Sequence, residues 1–134
     1  MYKRQLLLCL DAAETSEDEK RQYFYRTQVE KVKAIKTFLA ENMSDNFTQE
    51  ELSEQFEIPL TTMKSCFRSV YGTSIGAWLT GFRMNRAAEM LINDRNKGAA
   101  EIAGLVGYDS ASKFAAAFKR IMGRTPIEYR KDIR

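Results

Sequence analysis

Leu52 and Ile102 stand 50 residues apart, as do Ile58 and Tyr108; Met63 and Phe114, Phe67 and Phe118, Gly72 and Gly123, and Trp78 and Tyr129 each stand 51 apart. A chain that matches itself at this period is built from copies of one supersecondary unit, here with one residue inserted in the turn of the second copy. That second copy, AEIAGLVGYDSASKFAAAFKRIMGRTPIEYR from Ala100 to Arg130, marks its own boundaries. Ile102, Ala103 and Val106 form the inner stripe of a short helix, Gly107 supplies a residue free to take φ > 0, and Tyr108 and Asp109 carry the turn. From about Ser110 a second helix buries Phe114, Phe118 and Ile121 at i, i+4 and i+7, with Lys113, Lys119 and Arg120 pointing elsewhere. Gly123 ends it. Thr125-Pro126-Ile127-Glu128 then restarts the chain with a capping box and a proline placed where a missing N–H costs nothing.

The first copy has the same design. Thr48-Gln-Glu-Glu51 is a capping box that opens a short helix with Leu52 and Phe56 inside, and Glu57-Ile58-Pro59 breaks it. Pro59 suits the start of the next helix, whose stripe is Met63, Phe67 and Val70 and whose end is Gly72. Upstream, Thr27-Gln-Val-Glu30 reads as a further capping box, opening a helix to about Met43 with Val32, Ile35 and Leu39 inside and Phe38 beside them. Between the copies, Ile75, Trp78, Leu79, Phe82, Met90 and Leu91 belong to a helix of roughly 18 residues, about 27 Å long. The expectation is an all-α fold of about seven helices, with helix-turn-helix subdomains at 27–72 and 95–134 joined by a linker helix within 73–94.

Met1-Tyr-Lys-Arg-Gln5 is what a transposon-type sequencing adapter encodes when an internal GTG is taken as the start codon, so residues 1–5 are set aside from fold reasoning. On that reading Leu6 opens partway into a longer gene, and residues 6–26 are a linker or the tail of an upstream domain. Asp11 to Glu19 is acidic, has no apolar period and reads as a solvated linker.

The chain has 134 residues, 44% of them hydrophobic, enough for one modest domain or two very small ones sharing a helix. Its formal charge of +3 is unevenly placed: residues 1–57 carry 8 basic and 12 acidic side chains, a net −4, and residues 58–134 carry 13 and 6, a net +7. The second half therefore suits a polyanionic partner. Histidine is absent and the two cysteines, Cys9 and Cys66, are too few for a disulfide framework or a Cys/His zinc site. No Ser-His or Cys-His nucleophile can be assembled and no Gly-rich phosphate loop is present, so neither an enzyme nor a cofactor or metal is expected. Cys66, within a helical pattern, reads as a small buried hydrophobe. No run approaches a membrane span, and the apolar Leu6–Leu10 is shorter than a signal-peptide core, which points to a reducing cytoplasm.

RMNRAAEML, then AEIAGLVGY, then FAAAFKRIMGRTPIEYR, set in two helix-turn-helix units joined by a long helix, resemble the DNA-binding domain of AraC/XylS-type transcription regulators from about Val29 to Arg130. SKFAAAFKR is more similar to the siderophore-responsive, pyochelin-type regulators than to the sugar-responsive members. The resemblance implies a homeodomain-like arrangement in which each unit's second helix enters the major groove of duplex DNA. By position, the base-contacting residues are Thr61, Lys64 and Ser65 in the first unit and Ala111, Ser112, Ala115 and Ala116 in the second. Thr48, Arg68, Lys113, Lys119, Arg120 and Arg124 stand where phosphates would be met. RNA polymerase is an implied partner, and a small-molecule effector is implied only through a domain absent from this chain. The chain departs from the pattern at the alanines of the second unit, which offer almost no hydrogen bonding, and at Glu57, where the second unit has Gly107.

Phe67, Phe114, Phe118, Trp78 and Tyr129 have the spacing and repeat equivalence of core residues rather than of base-stacking platforms. Arg83 and Arg86 suit either a carboxylate partner such as Glu89 or DNA. The rival to a DNA reader is an all-helical interaction module whose basic face binds an acidic protein, and a footprint on duplex DNA separates the two.

Overall fold

The computed structural model describes residues 12–132, and these described residues form seven helices and no strand: α1 (Ala12–Glu41), α2 (Gln49–Gln55), α3 (Leu60–Tyr71), α4 (Ile75–Asn93), α5 (Ala99–Leu105), α6 (Ala111–Met122) and α7 (Pro126–Asp132). Side chains set most of the boundaries. Thr48 and Glu51 exchange both hydrogen bonds of a capping box, at 3.0 and 2.8 Å, and Thr125 and Glu128 do the same at 3.2 and 3.1 Å. The Ser74 and Ser110 hydroxyls accept from the backbone N–H groups of Ala77 and Lys113. Each cap of this kind contributes about 1 kcal/mol. Gly72 and Gly123 close α3 and α6 in the left-handed conformation, at φ 76° and 84°.

The apolar stripes meet in two cores. Val32, Ile35 and Leu39 of α1 pack with Leu52, Ile58, Met63, Phe67 and Ile75. Met84, Ala87 and Leu91 of α4 pack with Ile102, Val106, Phe114 and Phe118. Burying one such large apolar side chain stabilises the fold by about 1.5–3 kcal/mol. The duplication reaches further back than the two helix-turn-helix units: Val32, Ile35 and Leu39 have the same roles as Met84, Ala87 and Leu91, each 52 residues on. Each copy is thus three helices, and α4 closes the first while opening the second. Its Ile75, Trp78 and Leu79 join the first core, and its Met84, Ala87, Ala88 and Leu91 join the second. The edge-on contacts of Phe67 with Trp78 and of Phe118 with Tyr129, with centroids 6.3 and 5.3 Å apart, are one contact repeated. Cys66 is buried in the first core, and burial pushes its thiol pKa up.

Three sequence expectations are corrected. The first helix already runs from Ala12, the first described residue, and does not open at Thr27, so the acidic Glu17, Asp18 and Glu19 are exposed but helical. Residues 17–26 contain no Gly or Pro to interrupt it, and Asp18 pairs with Arg21 one turn on at 2.8 Å. Thr27 therefore lies mid-helix and its hydroxyl donates back to the Tyr23 carbonyl at 2.9 Å, so no capping box forms there. On α6 the third buried position is Ala117, one turn after Phe114, while Ile121 is 45% exposed. The inner stripe drifts round the helix and passes from Phe118 to Met122. The adapter-like start, the apolar Leu6–Leu10, Cys9 and Asp11 lie outside the described residues.

The two turns solve one backbone problem with different residues. Gly107 has φ 92°, and its counterpart Glu57 has φ 54°, the one positive value at a non-glycine among the described residues. The first turn is held by Lys31, whose ammonium donates to the Glu57 carbonyl at 2.6 Å, and by the Ser53 hydroxyl, which donates to the Ile58 carbonyl at 2.6 Å. A Cβ on Gly107 would lie 2.7 Å from both Arg83 Nη2 and the Met43 carbonyl, whereas one on Gly72 would meet nothing within 4 Å. Gly72→Ala should accordingly cost about the 1–2 kcal/mol of a left-handed L-residue, and Gly107→Ala should cost that plus about 1–3 kcal/mol of overpacking. Glu57→Gly should be neutral or stabilising by up to about 1 kcal/mol. Urea unfolding of the three variants measures all of this.

Candidate nucleic-acid interface

Because α3 and α6 bury equivalent faces, they also expose equivalent ones. Met63, Cys66 and Phe67 go inward on α3, and Phe114, Ala117 and Phe118, each 51 residues on, go inward on α6. Thr61, Lys64, Ser65 and Arg68 are left outward on the first helix; their counterparts on the second are Ser112, Ala115, Ala116 and Lys119. All of these are exposed except Ala115, which is half-buried, and Ala111 at the start of α6 is exposed as well. Neither helix contains an acidic residue. The seven base-contact positions read from the sequence therefore fall on two corresponding surfaces.

The first surface is polar and indented. Leu60, Thr61, Lys64, Ser65 and Arg68 line one recess, and Lys64 and Arg68 turn with Gln49, Ser74 and Ile75 around a second. Gln49 Oε1 is buried there with no partner among the described residues. At the matching places of the second unit stand Ala99, Ala115, Lys119, Thr125 and Pro126, so that surface has fewer side-chain donors.

Of the six positions expected to meet phosphates, Arg68, Lys119 and Arg120 are exposed and form no salt bridge among the described residues. Lys113 bridges Asp109 at 3.6 Å on the open surface and Arg124 pairs with Asp132, contacts that contribute little and separate readily. The Thr48 hydroxyl accepts from the Glu51 N–H as a cap, leaving its own proton available.

Arg83 and Arg86 part company. Arg86 pairs with Glu89 at 3.5 Å on the outside of α4. Arg83 is buried, and its Nη2 donates to the Asp45 carbonyl at 2.9 Å and to Asn46 Oδ1 at 3.1 Å. Burial lowers its pKa, an effect that Tyr108 opposes, with the ring centroid 5.9 Å from the guanidinium. Its place on the inner stripe, four residues before Ala87 and eight before Leu91, is the sequence signal that marks it as an inward-facing cation. Arg130 was silent in the sequence: it donates to the carbonyls of Leu91, Asp94 and Lys97, at 2.8, 3.3 and 2.8 Å, and so caps the C-terminus of α4 from α7.

A family model described as a helix-turn-helix domain matches residues 52–132. The HTH-type transcriptional regulator ExsA of Pseudomonas aeruginosa is 31% identical over 100 residues, which are 75% of this chain and 36% of that protein. The chain thus spans about a third of the length of the curated relatives it matches. The C-terminal domain of AraT, a response regulator from Geobacillus stearothermophilus, superposes with a TM-score of 0.73 at 30% identity, over 76% of this chain and 84% of that one. The DNA-binding domain of AdpA, a global transcriptional factor solved in complex with a target DNA, superposes with a TM-score of 0.71 at 25% identity, over 75% and 90%.

The cap at the edge of this surface has a pH signature. The Thr125 backbone N–H, with Lys119 and Arg124 nearby, holds the Glu128 carboxyl below its ordinary value of 4.5. The folded state thus favours the carboxylate, and the stabilisation is present above that value and lost as pH falls through the lowered one. Unfolding measured from neutral to acid pH should show this loss, and Glu128→Gln should flatten the part of the slope that Glu128 contributes.

Proposed function

Because the chain belongs to the AraC-type helix-turn-helix DNA-binding family, we propose that it is a sequence-specific, non-enzymatic transcription regulator that lays α3 and α6 into successive major-groove segments of duplex DNA. The observation that carries this reading is the pair of equivalent, acid-free, outward helix faces on one rigid spacer. The 19 residues of α4 span about 28 Å, the scale of one turn of B-form DNA at roughly 34 Å. Arg68, Lys119 and Arg120 supply charge to phosphates, and Lys113, Arg124 and the Thr48 hydroxyl add to it once their surface contacts yield. Thr61, Lys64 and Ser65 read base edges, Lys64 being suited to guanine O6 and N7. Ala111, Ala115 and Ala116 bring the second helix close and touch thymine methyl groups, with Ser112 as its one polar reader.

As a regulator the protein acts in the cytoplasm and works through RNA polymerase, and a small-molecule effector acts on a domain outside this chain. SKFAAAFKR on α6 favours the siderophore-responsive subgroup. A footprint on duplex DNA is the primary test; protection of no sequence, with capture by an acidic protein instead, overturns the reading.

Affinity should fall as salt rises, by about 0.9 log units per log unit of salt for each phosphate neutralised. Lys119→Ala with Arg120→Ala should weaken binding to every sequence alike, and a titration on specific and random duplexes checks it. The two helices should also differ in what they read. Lys64→Ala should cost about 1–3 kcal/mol at one half-site and relax its preference, while Ala115→Gln should impair docking at the other. Selection from random DNA measures both, and a richer preference at the half-site facing α6 would refute this division.

A further inference from the structure

The loop between the first two helices of each unit differs in length. It has seven residues in the first unit, from Asn42 to Thr48, and five in the second, from Asp94 to Gly98. The two additional residues put Asp45 and Asn46 against the second unit, where they receive the two donations of Arg83 Nη2. Asn46 Nδ2 in turn donates to the Gly107 carbonyl at 3.0 Å, and Gly107 packs so closely on the guanidinium and on Met43 that no Cβ fits. A ring of contacts therefore runs from α4 to the first unit's loop, on to the turn ahead of α6, and back. Lys31, the counterpart of Arg83 52 residues earlier, donates to the turn of its own unit, at the Glu57 carbonyl. Stability does not account for Arg83: a buried cation whose Nε has no partner among the described residues gains little over an apolar side chain of similar volume.

We propose that Arg83, gripped by Asp45 and Asn46, is a latch that fixes the separation of α3 and α6, and so a positioning residue that determines which spacing of half-sites the protein accepts. The spacing role rests on the DNA reading above; the latch does not. Adding or removing one base pair moves one half-site by about 3.4 Å and turns it by about 34°, more than a latched pair of helices can follow.

Two variants test it. Asn46→Ala changes an exposed side chain, and Arg83→Met keeps volume while removing the donors. In the DNA-free 134-residue chain carrying Cys9→Ser, nitroxides at Ser69→Cys and Ile121→Cys report the α3 to α6 distance, the Cys66 thiol being buried. One narrow distribution in the parent that broadens in both variants is the expected result; equally narrow distributions overturn the latch. On a duplex selected by the parent chain, a one-base-pair change of spacing should cut parent affinity tenfold or more and variant affinity threefold or less, at an unchanged unfolding midpoint. A uniform loss on all duplexes with the spacing penalty intact would reduce Arg83 to a structural residue and overturn the spacing role. A parent chain that enriches no sequence overturns the DNA reading and the spacing role together, and the distance measurement alone then decides the latch.

Discussion

One helix has to satisfy two hydrophobic cores. The first turns of α4 fill the space beneath α3 with Ile75 and Trp78, and the last turns lie beneath α6 with Ala87 and Leu91. Since a continuous helix allows little bending, the packing of each end limits the direction of the other, and α3 and α6 inherit that direction. The residues packed on the two halves differ accordingly. Around Phe67 the neighbours are large, Trp78 and Tyr71 among them, whereas the α4 face beneath Phe114 and Phe118 is built on Ala87 and Ala88 with Met84 and Leu91. Small residues on the second half let α6 sit close to the spacer.

The same shared helix explains why side chains from distant parts of the chain converge at its ends. Its C-terminal carbonyls would be left without partners if α7 did not return with Arg130 to take up those of Leu91 and Asp94. Its N-terminus is capped within the sequence by Ser74. Local chemistry thus suffices at one end of α4, and the other end depends on a residue almost 40 positions away.

That difference also explains what could be read from the sequence. Caps, glycine stops and apolar periods are local, so Thr48, Gly72, Gly123 and Thr125 located helix ends well, and the repeat placed α3 and α6 before any packing was known. The failures came where one local rule met another. Thr27 and Glu30 have the spacing of a capping box, but nothing upstream breaks the helix, so the helix prevails. Ile121 satisfies the i+7 rule from Phe114, yet Ala117 is nearer the centre of the buried face, and period alone does not rank a small residue against a large one. The candidate positions came from the family resemblance, and the repeat explains why those on α3 and α6 lie on corresponding faces, since fixing the inward face fixes the outward one. Asn46 and Arg130 were invisible because their partners are set by packing between segments far apart in the chain, between the units for Asn46 and within the second unit for Arg130, and not by anything within a helical turn.

The alanines of α6 bear on the entropy of recognition. A lysine or glutamine that must be held against a base loses about 1.5–2 kcal/mol of rotamer freedom, and an alanine has none to lose. On the proposed reading, Ala111, Ala115 and Ala116 have no side-chain rotamers to fix, so α6 gives up little disorder on docking, whereas α3 has to immobilise Lys64 before it can read. If α3 and α6 read DNA as proposed, temperature should act on them differently, the side chains of α3 having rotamer freedom to lose and the alanines of α6 having none.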